Sequence, residues 1–120
     1  FREFTVHEKN AVKLYFKKFK DQIESGQIFK GTIKDYNVVA TFANYAVNEL
    51  AHFLIKKYNA DIGIVVNTQA KTVSFRRSKQ SDVDLSILAT KLCQGGGHSA
   101  SAGGRLTEKF ANLTKTFTPC

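Results

Sequence analysis

Cys93-Gln94-Gly95-Gly96-Gly97-His98-Ser99-Ala100-Ser101-Ala102-Gly103-Gly104-Arg105-Leu106 is the stretch on which the reading of this chain turns. It holds five of the eight glycines, and between Gly95 and Arg105 every residue except His98 is small. A backbone without Cβ atoms turns sharply and lets a ligand approach its N–H groups. The Gly95-Gly96-Gly97 run is expected to end one element, with His98 to Ala102 opening the next. Amides at a helix start there, aimed outward beside a histidine, make a site for a phosphate or another anion. A Walker-type loop needs a closing Lys-Ser/Thr, which does not follow these glycines. Gly95, Gly97 and Ala100 meet the relaxed dinucleotide pattern formally, but the residues before Gly95 read as a helix and not as the required strand. On the residues alone, an anion-binding loop and a glycine-rich connector with a surface histidine both stay open.

Immediately upstream, Asp84 is placed to cap a helix whose Leu85, Leu88, Ala89 and Leu92 face inward until Gly95 ends it. Asp82 lies two residues before Asp84, but without a nearby histidine or further carboxylate, capping is the better reading than a metal pair. Ser78 to Ser81 is a polar loop. Before it, Ile62-Gly63-Ile64-Val65-Val66 is a near-continuous apolar run, as in a strand buried on both faces. Thr68-Gln69-Ala70 turns the chain, and Lys71 to Arg77 returns as the hairpin partner. Alternation puts Ser74 and Arg76 on one face of that strand and Phe75 and Arg77 on the other. The two arginines are either solvated edge residues, or one of them points into a cleft and binds a phosphate, whose oxygens a guanidinium holds bidentately.

Further out, Asn44 is expected to cap a helix with Val47, Leu50, Ala51, Leu54 and Tyr58 inward and Lys56-Lys57 at its negative end. His52 lies beside this stripe and reads as a packed or partly solvated structural histidine. Gln27 to Ile33 and Asn37 to Phe42 read as strands joined around Lys34-Asp35-Tyr36. Thr5-Val6-His7-Glu8 has the form of a capping box, followed by Val12, Tyr15, Phe16, Phe19 and Ile23 at helical spacing, so a helix is expected from about Val6 to Ser25. Its aromatics read as core, and its lysines as a solvated face. Past Leu106, the residues Phe110, Leu113 and Phe117 suggest a last short helix or edge segment.

With 120 residues the chain is one domain on size. Eighteen Lys and Arg against ten Asp and Glu leave a net charge of +8, which favours polyanionic partners. No window approaches a membrane span, and no signal-peptide pattern is present. Cys93 and Cys120 form no zinc pattern. The two could pair, but a reduced, buried Cys93 and a cytoplasmic location are the expectation. Catalysis by metal needs clustered Asp and His ligands. The five Asp, five Glu and three His are scattered, with no Asp-His-His triplet and no supported Ser-His-Asp or Cys-His arrangement. Whether the chain is an enzyme by itself is left undecided.

Gly95-Gly96-Gly97-His98, two further residues, then Ser101-Ala102-Gly103 resembles the glycine-rich motif of the DHHA1 domain, the C-terminal substrate-binding half of DHH-family phosphoesterases. The likeness extends to Val73-Ser74-Phe75-Arg76, to Asp82-Val83-Asp84-Leu85-Ser86, and to Asn44–Leu54 with Ala60-Asp61-Ile62-Gly63, covering residues 36–106. Two departures stand out: Gln94 where family members often carry a fourth glycine, and Ser101-Ala102-Gly103 where Ala-Ala-Gly is usual. The resemblance implies an α/β fold, a mixed sheet of about five strands flanked by helices. It implies that Gly95, Gly96, Gly97 and His98 contact a phosphate or terminal nucleotide, that Arg76 clamps a phosphate, and that Ser74 assists. The ligand would be a short oligonucleotide or a linear or cyclic dinucleotide. Hydrolysis would fall to a separate N-terminal DHH catalytic domain, commonly with manganese, so the chain beginning at Phe1 is expected to be a fragment. No cofactor is expected within it. Two alternatives remain: a tRNA-binding domain as in alanyl-tRNA synthetase-like proteins, and a structural or homodimerising domain with a degenerate site.

Overall fold

The computed structural model describes residues 28–44 and 46–119, so the expected helix from Val6 to Ser25 and the Cys120 tail lie outside the described residues. The described chain is an α/β fold built on one mixed sheet. Strands β1 (Ile28–Ile33) and β2 (Tyr36–Phe42) form an antiparallel hairpin, turned at Lys34, whose φ is 54°. Helix α1 (Val47–Tyr58) crosses over to β3 (Ile62–Asn67), which pairs parallel with β2. Strand β4 (Thr72–Arg77) returns antiparallel to β3. Helix α2 (Leu85–Cys93) leads to β5 (Gly96–Gly97) and β6 (Ser101–Arg105), and β6 pairs antiparallel with β4. Helix α3 (Glu108–Thr114) precedes β7 (Thr118–Pro119), paired with β1 at the far edge. The strand order is β5-β6-β4-β3-β2-β1-β7.

Seven strands thus replace the expected five or so. Both additions, β5 and β7, are two residues long; β7 depends on β1, a partner distant in sequence, and β5 on β6, which in turn pairs with β4 across α2. Neither has the alternating apolar pattern by which strands are recognised.

The sheet separates two cores. Toward α1 lie Val39 and Val65, packed with Leu50, Ala51 and Leu54. Toward α2 and α3 lie Val38, Ile62, Ile64, Val73 and Phe75, packed with Leu85, Leu88, Cys93 and Phe110. Because β3 has helices on both sides, its residues from Ile62 to Val66 are all buried, as its unbroken apolar run foretold. Phe75 and Phe110 meet edge to face, with centroids 6.1 Å apart. Among the described residues, no helix is long and apolar enough to cross a membrane.

Two caps test the local readings. Asp84 is the N-cap of α2, as expected, and its carboxylate accepts from Ser86 N at 3.0 Å. Asn44 does not cap α1. That helix starts after Ala46, which is left-handed and makes no side-chain cap bond, while Asn44 Nδ2 donates to Gln69 Oε1 at 2.9 Å. The side chain that was expected to start the helix instead ties the β2–α1 loop to the β3–β4 turn.

Candidate functional site

Along β4 the register places Ser74 opposite Val65 and Gly103, and Arg76 opposite Gly63 and Ser101. Ser74 and Arg76 therefore face α1, while Phe75 and Arg77 face α2, as the alternation predicts. Arg77 Nη1 is already committed, donating to Val83 O at 2.8 Å. Arg76 is held on the front face by three bonds. Its Nε donates to Asn48 Oδ1 at 2.8 Å, and its Nη1 donates to Phe75 O at 2.8 Å and to Ala102 O at 3.4 Å. These bonds fix the guanidinium plane, and among the described residues Nη2 has no hydrogen-bond partner and can meet an anion. Partial burial lowers the Arg76 pKa from its ordinary value, but guanidinium remains protonated in proteins.

The glycine stretch does not open a helix, contrary to the expectation for His98 to Ala102. It folds as a tight hairpin. His98 N donates to Ser101 O at 2.8 Å and Ser101 N returns to His98 O at 3.3 Å, so these two amides are used within the turn. The turn is latched from behind, because Leu85 N at the start of α2 donates to Ser99 O at 2.9 Å. A helix start was expected because small residues after a glycine run are compatible with either element. Pairing with β4, reached only after the chain passes through α2, decides for the strand.

The glycines are not equivalent. A Cβ on Gly95 would stand 2.0 Å from Gly103 O, so the crossing of these backbones requires glycine. A Cβ on Gly96 would meet nothing within 4 Å. Gly96 is exposed, and its pairing with Gly103 puts it in one row with Ser74 on the front face. The next row holds Arg76 and Ser101, with His98 across the turn from Ser101. Helix α1 packs on β2, β3 and β4, while α2 packs on β4, β5 and β6 from behind. The front of β5 and β6 is thus a shelf of small residues bordered by Arg76 and exposed His98.

At the end of this shelf lies an open cavity of about 410 Å³, lined among others by Asn48, His52, Arg76, Lys79, Ala100 and Ser101. The predicted residues therefore divide. Arg76 lines the cavity, whereas Ser74, Gly95, Gly96, Gly97 and His98 do not; Ser74, Gly96 and His98 lie along the adjoining shelf. His52, read as packed or partly solvated beside the buried stripe, is exposed and lines the cavity with Asn48. The spacing of Asn48, His52 and Lys56 at intervals of four was the available signal, because it marks one helix face. Nothing in the local sequence said that this face borders Arg76.

The acidic groups nearby are engaged in structure. Asp82 Oδ1 accepts from Tyr36 Oη at 2.9 Å, a bond that, together with the charge of Asp82, raises the tyrosine pKa. Asp84 caps α2. Among the described residues, no group of three or more His, Cys, Asp and Glu is placed to hold a metal ion.

No family model matches the chain, and no curated protein sequence does. Solved structures do resemble it. An uncharacterised protein from Helicobacter pylori G27 superposes with a TM-score of 0.59 at 17% identity, over 80% of this chain and 29% of that one. PggH, a pGpG-specific phosphodiesterase from Vibrio cholerae, gives 0.54 at 21% identity, over 89% of this chain and 39% of that one. An exopolyphosphatase-related protein from Bacteroides fragilis gives 0.58 at 14% identity, over 82% and 32%. These likenesses show a shared fold. The chain spans between 29% and 39% of the length of these three solved chains.

Proposed function

We propose that the chain is a DHHA1-type domain that binds a short oligonucleotide or dinucleotide on the shelf between Arg76 and the glycine hairpin. In this reading it holds a phosphate for hydrolysis by a metal-dependent catalytic domain outside this sequence. The observation that carries it is the pairing of a pre-oriented guanidinium with an open shelf. Asn48 and two carbonyls hold Arg76, while Gly96, where the fold makes no demand for glycine, leaves the space above it clear. A missing Cβ that packing does not require is what a flat ligand lying against backbone requires. Pre-orientation lowers the ordering cost of binding, and charge-assisted bonds from Arg76 supply affinity. His98, at the end of the shelf, would add a hydrogen bond to a phosphate oxygen. The likeness in fold to a pGpG-specific phosphodiesterase supports the reading.

Titration of the chain with pApA tests it. Saturable binding is expected, weakened at least about tenfold by Arg76→Ala, as for loss of one charge-assisted contact. Gly96→Ala should weaken binding with no loss of thermal midpoint, because its new methyl meets only open space in the free protein. Affinity unchanged in both variants would falsify the site.

A further inference from the structure

The cavity beside Arg76 continues past His52. A second open cavity, about 670 Å³, shares His52, Arg77, Ser78 and Lys79 with the first and extends to Lys56 and Gln80. One face of α1 forms the wall. Asn48, His52 and Lys56 follow at intervals of four residues, spanning about 12 Å along the helix axis. Lys79, just beyond the end of β4, borders both cavities. Among the described residues, the one carboxylate in the lining, Asp61, is turned to other work. Its Oδ2 accepts from Asn37 N at 2.9 Å, and its main-chain carbonyl accepts from Ser78 N at 2.9 Å, which fixes the loop carrying Lys79. Positive groups therefore outnumber the single acid along a continuous track that starts at Arg76.

We infer that the outer cavity is a second phosphate subsite, formed by Lys56 and Lys79 with His52 at its mouth, so that the chain takes linear ligands carrying at least two phosphates in series. The inference rests on the proposed binding of a nucleotide phosphate at Arg76 and adds a second, separable contact. An open groove with cations at intervals suits a strung-out phosphate chain, whereas a single phosphate satisfies only one end of it. Lys57 supplies the control. It occupies the same last turn of α1 and carries the same charge, but does not line the cavity.

The test compares ApA, with one phosphate, and pApA, with two, on the wild-type chain and on its Lys56→Ala and Lys57→Ala variants. The wild type should bind pApA on the order of five- to tenfold more tightly than ApA. The dependence of log affinity on log salt should be steeper for pApA by about 0.7, the value for one more single-strand phosphate contact. Lys56→Ala should abolish that gain and leave ApA binding intact, while Lys57→Ala should keep both. Equal affinity for the two ligands, or equal loss in the two lysine variants, overturns the second subsite even where ApA binding and its dependence on Arg76 stand. Failure of the folded wild type to bind either ligand overturns the proposed function itself, and the subsite with it.

Discussion

Gln94 shows how much a single backbone angle reveals. It ends α2 with φ 52° and ψ 37°, and its N–H donates to Ala89 O. A left-handed conformation costs a residue with a Cβ roughly 1 kcal/mol and costs glycine almost nothing. Gln94 therefore stands where the backbone would benefit from a glycine. Gln94→Gly should stabilise the fold by about 1 kcal/mol, read as a raised denaturation midpoint at an unchanged urea m-value. A lowered midpoint would mean that the Gln94 side chain contributes more than the strain removes. Gly95 and Gly96, adjacent in sequence, have opposite surroundings: a Cβ on the first would strike a crossing backbone, and one on the second would meet only open space. The sequence spells them identically. Arg76, by contrast, was legible, because alternation along β4 alone puts it opposite to Phe75.

At the scale of elements, the hairpin and α2 form one unit. Asp84 accepts from Ser86 N and Ser86 Oγ, and Leu85 N holds Ser99 O, so the helix start supports the turn that carries His98. Those hydrogen bonds, the one from the Ser86 side chain first, lower the Asp84 pKa. A carboxyl with a depressed folded pKa stabilises the fold above its unfolded pKa, about 3.9, and loses that contribution as pH falls through the folded value. Asp84→Asn should therefore be less stable than wild type at pH 7, with the gap closing as pH drops well below 4. Denaturation midpoints at pH 7 and about pH 2.5 check this, and a gap independent of pH would sink it. This cap was readable from sequence because the acceptor and its donor are two residues apart. That of α1 was not, because Asn44 found its partner in Gln69, across the β3–β4 turn. Likewise α3 is set by Thr107, which accepts from Phe110 N and donates to Leu92 O, tying the last helix to α2.

At the largest scale, the described residues form a sheet with one helix in front and two behind, and Cys93 lies fully buried in the rear core. Burial pushes its thiol up to about 11, so little thiolate exists at neutral pH and reagents have no access. In a Cys120→Ser chain, alkylation at pH 8 should therefore proceed only through unfolding, with a rate that rises with denaturant as the global transition does. Fast labelling of the native chain would show that the rear core opens locally.

What the sequence determined by itself is what depends on neighbours a few residues apart: the buried strand β3 and its hairpin return, the opposed faces of Arg76 and Arg77, the inward stripes of α1 and α2, and the Asp84 cap. Side-chain alternation and helical period are properties of the local backbone, so they are written locally. Tertiary structure alone decided that the glycine stretch pairs with β4 as a hairpin, that β7 finds β1, and that Asn48 and His52 meet Arg76. Each of these joins segments separated by an intervening helix or strand. Such contacts form when sheet order and packing close a long loop, and no local pattern records which distant partner will be met.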